Sequence, residues 1–217
     1  MKIALCSLSD REEIREISWP LMEQYCKIHG YDFVTRTEIL LQDRHPSWSK
    51  LPFLKSLLSS YDITIWFDDD IVLTQPDVRI ESLIEPFLGS DQVIAVSANS
   101  NAPFNFGLIV CKPNAGPCLD KISQAMTEET RYGLLWEETA SKDLYVSDPV
   151  FKEQVYIVPR RILQGFHRAC SHEDYIWSWK EKTFSMHVAG FPKDTRIEYM
   201  RQTVEILDLK SRFGLHG

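Results

Sequence analysis

A short apolar segment that ends in three consecutive aspartates constrains the fold of this chain most strongly. Residues 63–67 read ITIWF, and Asp68, Asp69 and Asp70 follow directly. A strand that is apolar on both faces is typical of the centre of a parallel sheet covered by helices. Ligands bind at the carboxyl ends of the strands in open α/β sheets. The segment therefore predicts an acidic binding site at the edge of a central strand.

The rest of the chain alternates strand-like and helical patterns, which indicates an α/β fold with a mixed, mostly parallel central sheet flanked by helices. The predicted strands are Lys2–Leu8, Tyr31–Thr35, Ile63–Phe67, Gln92–Ser97, Phe106–Cys111, Val155–Val158 and Thr183–Val188. The predicted helices are Arg11–His29 with Asp10 as N-cap, one opening at Ser49, one from Pro113 to about Glu129, Asp148–Gln154 and Asp194–Ser211. No repeat or linker divides the pattern, so we expect one domain over residues 1–217.

Composition excludes several classes of function. The 217 residues include 24 Lys and Arg against 31 Asp and Glu, a net charge of −7. An acidic chain is a poor match for nucleic acid or an anionic membrane, which require a basic face. The first residues do not resemble a signal peptide and no apolar run has the length of a membrane span, so we expect a soluble cytoplasmic protein.

The cysteines predict neither disulfides nor a zinc site. The five cysteines form no CxxC pair, and we expect reduced, mostly buried thiols. His167, Cys170 and His172 lie close together in the sequence but lack a second ligand pair. We therefore do not expect them to bind zinc.

The three aspartates favour a metal site. In an extended strand alternate side chains share a face, so Asp68 and Asp70 point the same way and Asp69 points the opposite way. Two adjacent carboxylates repel each other unless a cation neutralises them, and Mg²⁺ or Mn²⁺ commonly bridges such carboxylates to a diphosphate. The residues alone also allow a solvated turn with no ligand.

Two classes of enzyme use this arrangement. A nucleotide-sugar glycosyltransferase holds a metal with a DxD pair. A phosphohydrolase of the haloacid dehalogenase type uses Asp68 as nucleophile and Asp70 as acid and base, and the letters DDDIV fit its pattern. Such a hydrolase also needs a downstream lysine and a second acidic pair at a GD turn. The nearest match, Gly89–Asp91, is poorly placed, which favours the transferase.

Five motifs in a shared order resemble a known family. The chain contains YCKIHGYDF at residues 25–33, HPSWSK at 45–50, WFDDD at 66–70, FNFG at 104–107 and HVAG at 187–190. They resemble motifs of glycosyltransferase family 34, a family of galactosyl- and xylosyltransferases, and the resemblance spans about residues 25–193. It implies a GT-A, Rossmann-like nucleotide-diphospho-sugar transferase fold. Residues 1–112 would then form the nucleotide-sugar and metal half, and 113–217 the acceptor half.

The resemblance also implies the ligands. The donor would be a UDP-sugar, with glucose, galactose, xylose and rhamnose left open, and the acceptor a glycan or glycoprotein. The metal would be Mn²⁺, with Mg²⁺ as the alternative, and the anomeric configuration would be retained. Because the family's Golgi members carry a membrane anchor that this sequence lacks, we expect a bacterial or viral member working in the cytoplasm.

Site residues follow from the same motifs. Asp70 would be a metal ligand, and Asp68 would be shared between the metal and the ribose of the nucleotide. His187 would be the third protein ligand, and an imidazole among oxygen ligands fits Mn²⁺ better than Mg²⁺. Lys50 and Lys193 would bind the diphosphate.

The remaining assignments concern the sugar and the acceptor. Gly107 and Gly190 would let the backbone approach the donor, and Asn105 would shape the catalytic site. Asp148 would orient the acceptor, but Pro149 follows it where the family has glutamine. That departure keeps open an inactive module that binds a nucleotide or glycan without turnover.

Overall fold

The computed structural model describes residues 1–99, 103–133, 135–169 and 178–215. Cys170 and His172 of the zinc pattern lie outside the described residues. The strands are β1 (Ile3–Leu8), β2 (Asp32–Arg36), β3 (Ile63–Phe67), β4 (Ile71–Leu73), β5 (Ile94–Ala98), β6 (Phe104–Cys111), β7 (Val155–Val158), β8 (Gln164–Phe166) and β9 (Ser185–His187). The helices are α1 (Glu12–His29), α2 (Lys50–Leu57), α3 (Ile80–Leu83), α4 (Glu85–Leu88), α5 (Gly116–Gln124), α6 (Glu128–Tyr132), α7 (Trp136–Ser147), α8 (Pro149–Glu153), α9 (Lys193–Ile206) and α10 (Leu209–Arg212).

The main sheet has six strands in the order β2-β1-β3-β6-β5-β7. All neighbouring pairs are parallel except those of β6, which runs antiparallel to both β3 and β5. Strand β3 is buried along its whole length between β1 and β6. The structure therefore confirms a mixed, mostly parallel sheet with the acidic segment at the end of a central strand.

A second, three-stranded sheet in the order β4-β9-β8 stands beside that strand end. The aspartates form the turn between β3 and β4, closed by a hydrogen bond from the Ile71 amide to the Asp68 carbonyl (3.1 Å). Strand β4 pairs antiparallel with β9, and Ile71 lies opposite His187. This register, rather than any proximity in sequence, brings the late histidine to the aspartates.

Helix α1 shows how the core forms. Ile14, Ser18, Leu21, Met22 and Tyr25 recur at helical spacing and are buried, which is the apolar stripe that packs on a sheet. Gly30 ends the helix in the left-handed conformation with φ of 73°, a conformation that favours glycine. The helix begins one residue after its prediction, because Arg11 rather than Asp10 occupies the N-cap position.

Two other predictions of helices were wrong in detail. The predicted helix over 113–129 is a short 3₁₀ turn (Pro113–Ala115), helix α5 and the separate helix α6. The C-terminal helix is broken at Asp208, whose φ is +48°. Helix α7 and strands β4 and β8 were not predicted. Within the described residues, no helix has both the length and the apolar character that crossing a membrane requires.

Candidate active site

Asp68, Asp70 and His187 form a cluster at the junction of the two sheets. One ligand atom from each lies within 4.8 Å of the others. Asp70 and His187 are buried, while the side chain of Asp68 is 26% exposed, so the cluster has an open side. Two carboxylates and an imidazole are a donor set that suits Mn²⁺ and related divalent ions. The residues present therefore fit the metal that the motif implies.

Neighbouring cations keep Asp70 ionised, and Asp70 in turn favours the protonated form of His187. Burial alone would raise the pKa of Asp70, but the charge and hydrogen bond of His187, with Arg196 and Arg11, hold it well below its usual range. Burial would lower the pKa of His187, but Asp70 outweighs it and raises that pKa. Asp70 Oδ1 and His187 Nε2 are 3.0 Å apart. An ionised carboxylate thus lies against an imidazole that a metal would also engage.

Gly107 on β6 leaves room for the histidine ring. A Cβ atom built on Gly107 would lie 2.4 Å from Cε1 and 2.8 Å from Nδ1 of His187. Real Cβ contacts essentially never fall below 3.0 Å, so a side chain here would displace the ring. In this structure the His187 ring therefore fills the space beside Gly107, and approach of the donor there stays a prediction.

Asn105, two residues earlier, is held by a buried network. Its Oδ1 accepts hydrogen bonds from the Gly107 amide and from Gln164 Nε2, both at 2.8 Å. Its Nδ2 donates to Glu138 Oε2 at 2.9 Å, and the same oxygen accepts from the Phe106 amide. The network fixes the Asn105 amide beside the cluster.

Lys50 lies beneath the first aspartate. Its Nζ is 2.9 Å from Asp68 Oδ1, 2.7 Å from Glu137 Oε1 and 3.3 Å from the Phe106 carbonyl oxygen. These three acceptors match the three donors of an ammonium group. Lys50 therefore positions Asp68 in this structure, and the diphosphate contact predicted for it would require one of these bonds to break. Trp66 Nε1 also donates to Asp68 Oδ1, at 2.6 Å.

Asp69 lies in the same turn but faces the start of helix α1, on the other side from the cluster, as predicted. It accepts hydrogen bonds from Ser9 Oγ and from Arg11, whose Nε lies 3.0 Å from Oδ2. Arg11 Nη2 also lies 4.0 Å from Asp70 Oδ2. The middle aspartate therefore anchors an arginine beside the cluster.

Two other predicted residues lie on the β9–α9 connection. Lys193 is the first residue of α9, and its Nζ is 2.8 Å from Glu13 Oε2, with both side chains about half exposed. Gly190 has φ of +79°, so the turn itself favours glycine there. The structure does not show Lys193 in contact with the acidic cluster, and its role with the diphosphate stays a prediction.

Asp148 lies at the other end of helix α7 from the site. Glu137 near the start of α7 contacts Lys50, and a rise of 1.5 Å per residue places Asp148 roughly 16 Å further along. Its Oδ1 caps α8 by accepting from the amides of Val150 (3.0 Å) and Phe151 (3.1 Å), and its carboxylate pairs with Lys121. These are the contacts of a helix cap. An acceptor-orienting role for Asp148 stays a prediction that this geometry does not favour.

Sequence reasoning missed five polar residues around the site. They are buried or half-buried, and they pair with the predicted ones: Arg11, Glu137, Glu138, Gln164 and Arg196. No motif marks them, because the β8 and α7 segments that carry three of them were not predicted. The sequence offers one weak signal, the adjacent acids of WEETAS. Both glutamates are buried in the structure, although glutamates on a helix usually lie at the surface.

The YCKIHGYDF motif serves the fold rather than the site. Tyr25 Oη donates to the Val78 carbonyl oxygen at 2.7 Å, and a ring nitrogen of His29 lies 2.7 Å from the Pro76 carbonyl oxygen. Both bonds hold the segment that follows β4. The motif thus stabilises the segment that follows β4.

Comparisons with known proteins agree with this geometry. Residues 10–97 match the model of the galactosyl transferase GMA12/MNN10 family, which is glycosyltransferase family 34. The crystal structure of a glycosyltransferase involved in the glycosylation of the major capsid of PBCV-1 superimposes with a TM-score of 0.74 at 17% identity, over 93% of this chain and 100% of that one. The galactosyltransferase LgtC, solved with donor and acceptor sugar analogues, superimposes with a TM-score of 0.54 at 11% identity, over 96% of this chain and 95% of that one.

The chain thus has the GT-A fold, and its residues 10–97 are similar to glycosyltransferase family 34. Probable glycosyltransferase 4 from rice, Oryza sativa, is 32% identical over 53 residues, which is 23% of this chain and 11% of the rice protein. The match therefore covers only about a tenth of the length of these curated relatives. The structural neighbours establish the fold of this chain.

Proposed function

We propose that this protein is a metal-dependent glycosyltransferase that moves a hexose or pentose from a UDP-sugar to a hydroxyl group of a glycan or glycoprotein. The observation that carries the proposal is the Asp68, Asp70 and His187 cluster at the carboxyl end of β3, with its ligand atoms within 4.8 Å of one another. That position is where an α/β sheet of this class binds its ligands. The family resemblance supports UDP as the nucleotide, Mn²⁺ as the metal and retention of configuration.

The residues around the cluster would have separate roles in binding the metal and the donor. Asp68, Asp70 and His187 would hold the metal, and Lys50 fixes the orientation of Asp68. When bound, the divalent ion would supply Lewis-acid stabilisation of the departing nucleotide diphosphate. Gly107 and Gly190 would allow the donor to approach the backbone, and Lys193 would swing from Glu13 to the diphosphate.

The sugar side of the site would be formed by Asn105, whose amide is locked by Gln164 and Glu138. A rigid amide is suited to orienting a sugar hydroxyl, since little freedom is lost on binding. Asp148 has no assigned part in this scheme, because its described contacts are those of a helix cap.

The compartment is also a proposal. Four of the five cysteines, Cys6, Cys26, Cys111 and Cys118, are buried and free, as is usual in a reducing compartment. We place the enzyme in the cytoplasm.

Calorimetric titration of UDP with and without Mn²⁺ tests the donor site. We expect wild type to bind UDP only with metal, and Asp70→Asn and His187→Ala to lose that binding. Asp77→Asn removes an exposed carboxylate of the same chemistry and serves as the matched control. Equal binding of UDP without metal, or none with it, would reject the donor site.

Turnover separates the remaining alternatives. We expect UDP release from one of UDP-glucose, UDP-galactose, UDP-xylose and UDP-rhamnose in the presence of Mn²⁺. Phosphate release from an aryl phosphate with no UDP-sugar turnover would instead support the hydrolase. Binding of UDP with no turnover of any donor would support the inactive module.

A further inference from the structure

Arg196 reaches the metal cluster from helix α9. Its Nη1 lies 3.3 Å from Asp70 Oδ2, and its Nη2 donates to the Phe191 carbonyl oxygen at 2.9 Å. The side chain is 15% exposed. It is therefore a nearly buried guanidinium that contacts a predicted metal ligand directly.

Both carboxylate oxygens of Asp70 are engaged in this state. Oδ1 faces His187 Nε2 at 3.0 Å, while Oδ2 faces Arg196 at 3.3 Å and Arg11 at 4.0 Å. A divalent ion beside Asp70 would meet the positive charge of Arg196 at close range, and two cations repel each other strongly where water is scarce. Binding of a metal thus competes with the Asp70–Arg196 pair.

The guanidinium is also incompletely satisfied. Its Nε is buried and has no hydrogen-bond partner among the residues that the structure describes. A buried charged donor without a partner is costly, and guanidinium groups bind phosphate oxygens through two parallel hydrogen bonds. An oxyanion placed beside the cluster would provide the acceptor that the protein does not.

The charges around the three aspartates also favour binding of the metal together with a diphosphate. The three aspartates are already matched by the fixed cations Lys50, Arg11 and Arg196, and Glu137 adds one carboxylate behind Lys50. A divalent ion alone would add two positive charges to this neighbourhood. A diphosphate would bring negative charges that offset them.

We propose that Arg196 pairs with Asp70 while the donor is absent and moves to the diphosphate when the nucleotide binds, so that metal binding depends on nucleotide. The inference rests on the proposed UDP-sugar site and deepens it. Arg196 is thereby a coupling residue between metal and donor. By linkage, the movement of Arg196 must raise the affinity for metal when nucleotide is bound, and equally the affinity for nucleotide when metal is bound.

Two titrations on Arg196→Gln test the coupling. The first measures Mn²⁺ binding without nucleotide by electron paramagnetic resonance, and the second measures UDP binding at saturating Mn²⁺ by calorimetry. We expect Mn²⁺ alone to bind about tenfold more tightly than in wild type, and UDP to bind about tenfold more weakly. Arg201→Gln, an exposed arginine on the same helix, should shift neither value by more than about twofold.

A second variant keeps the test decisive if Arg196→Gln folds poorly. Arg196→Lys retains the charge that opposes the metal but loses the paired donors. We therefore expect its Mn²⁺ affinity without nucleotide to match wild type, and its UDP affinity to fall.

The outcomes are distinguishable. If wild type binds Mn²⁺ with UDP and a folded Arg196→Gln protein binds Mn²⁺ alone no more tightly than wild type, the coupling is refuted and the donor site stands. If wild type binds no UDP at any Mn²⁺ concentration, the donor site and the coupling both fail. Opposite shifts of the two affinities support the proposal, since a purely structural role would weaken both.

Discussion

Replacement of Gly107 by alanine tests the geometry of the cluster most sharply. The added Cβ would lie 2.4 Å from His187 Cε1, whereas ordinary van der Waals contact begins at 3.4 Å. The ring must therefore withdraw by about 1 Å or the strand must move. A ring displaced by about 1 Å changes its 3.0 Å contact with Asp70 by more than the roughly 0.2 Å tolerance of a metal–ligand distance.

Two magnitudes follow from this displacement. Overpacking of a buried site costs about 1–3 kcal/mol of unfolding free energy, measured by urea denaturation. Displacement of a metal ligand by a neighbouring change lowers metal affinity about 10–100-fold, measured by Mn²⁺ titration in the presence of UDP. Both effects have one cause, so we expect them together.

Gly116→Ala is the matched control. A Cβ on Gly116 would meet Leu58 Cδ1 at 3.8 Å, an ordinary contact, and the residue opens helix α5. We expect Mn²⁺ binding as in wild type, and a stability equal to wild type or up to about 1 kcal/mol higher. A Gly107→Ala protein that binds Mn²⁺ and UDP like wild type would refute the expected displacement of His187 from the cluster, whatever its stability.

Three other substitutions test the supports of the site. Tyr25→Phe removes the hydrogen bonds to the Val78 carbonyl and from the Ile80 amide. We expect the unfolding free energy measured in urea to fall by about 1–3 kcal/mol. An unchanged value would show that Tyr25 does not stabilise the segment after β4. Glu138→Gln should lose about 1.5–3 kcal/mol by the same assay, because a charged acceptor is lost from a buried network, and a neutral result would argue against that network. Lys193→Gln should change the unfolding free energy by no more than about 1 kcal/mol, since its ion pair is half exposed. It should nevertheless weaken UDP binding in calorimetry. An unchanged UDP affinity would show that Lys193 does not contact the diphosphate.

The elements that the sequence predicted well are those with strong local patterns. Ile63–Phe67 was predicted at its observed bounds because an apolar run that ends in charges has few other interpretations. Asp68 and Asp70 share a cluster while Asp69 pairs with Arg11, as predicted, although all three lie in the turn after the strand rather than in the strand. Local periodicity was sufficient in these cases.

The parts that escaped prediction depend on pairing between distant segments. Strands β4 and β8 are three residues long, too short for a periodic signal, and β4 is a strand because β9 pairs with it. Helix α7 has a weak apolar stripe, since Glu137 and Glu138 are buried in ion pairs and hydrogen bonds rather than exposed. Tertiary context decides such elements, and local pattern does not reveal it.

The candidate site was likewise predicted only in part from the sequence. The three candidate metal ligands were predicted from motif order, and β-sheet register brings them together. Lys50 was placed at the diphosphate, yet its buried position between Asp68 and Glu137 makes it a support of the aspartate. Arg196 was missed because an arginine on an amphipathic helix carries no sequence signal of the carboxylate it will face.

Pulsed electron paramagnetic resonance of Mn²⁺ bound together with UDP tests the central claim most directly. If Asp68, Asp70 and His187 hold the metal that carries the donor diphosphate, wild type will show both a nitrogen coupling from the His187 imidazole and a phosphorus coupling from UDP. His187→Asn will lose the nitrogen coupling. A phosphorus coupling without any nitrogen coupling in wild type, or a nitrogen coupling that persists in His187→Asn, would contradict the account.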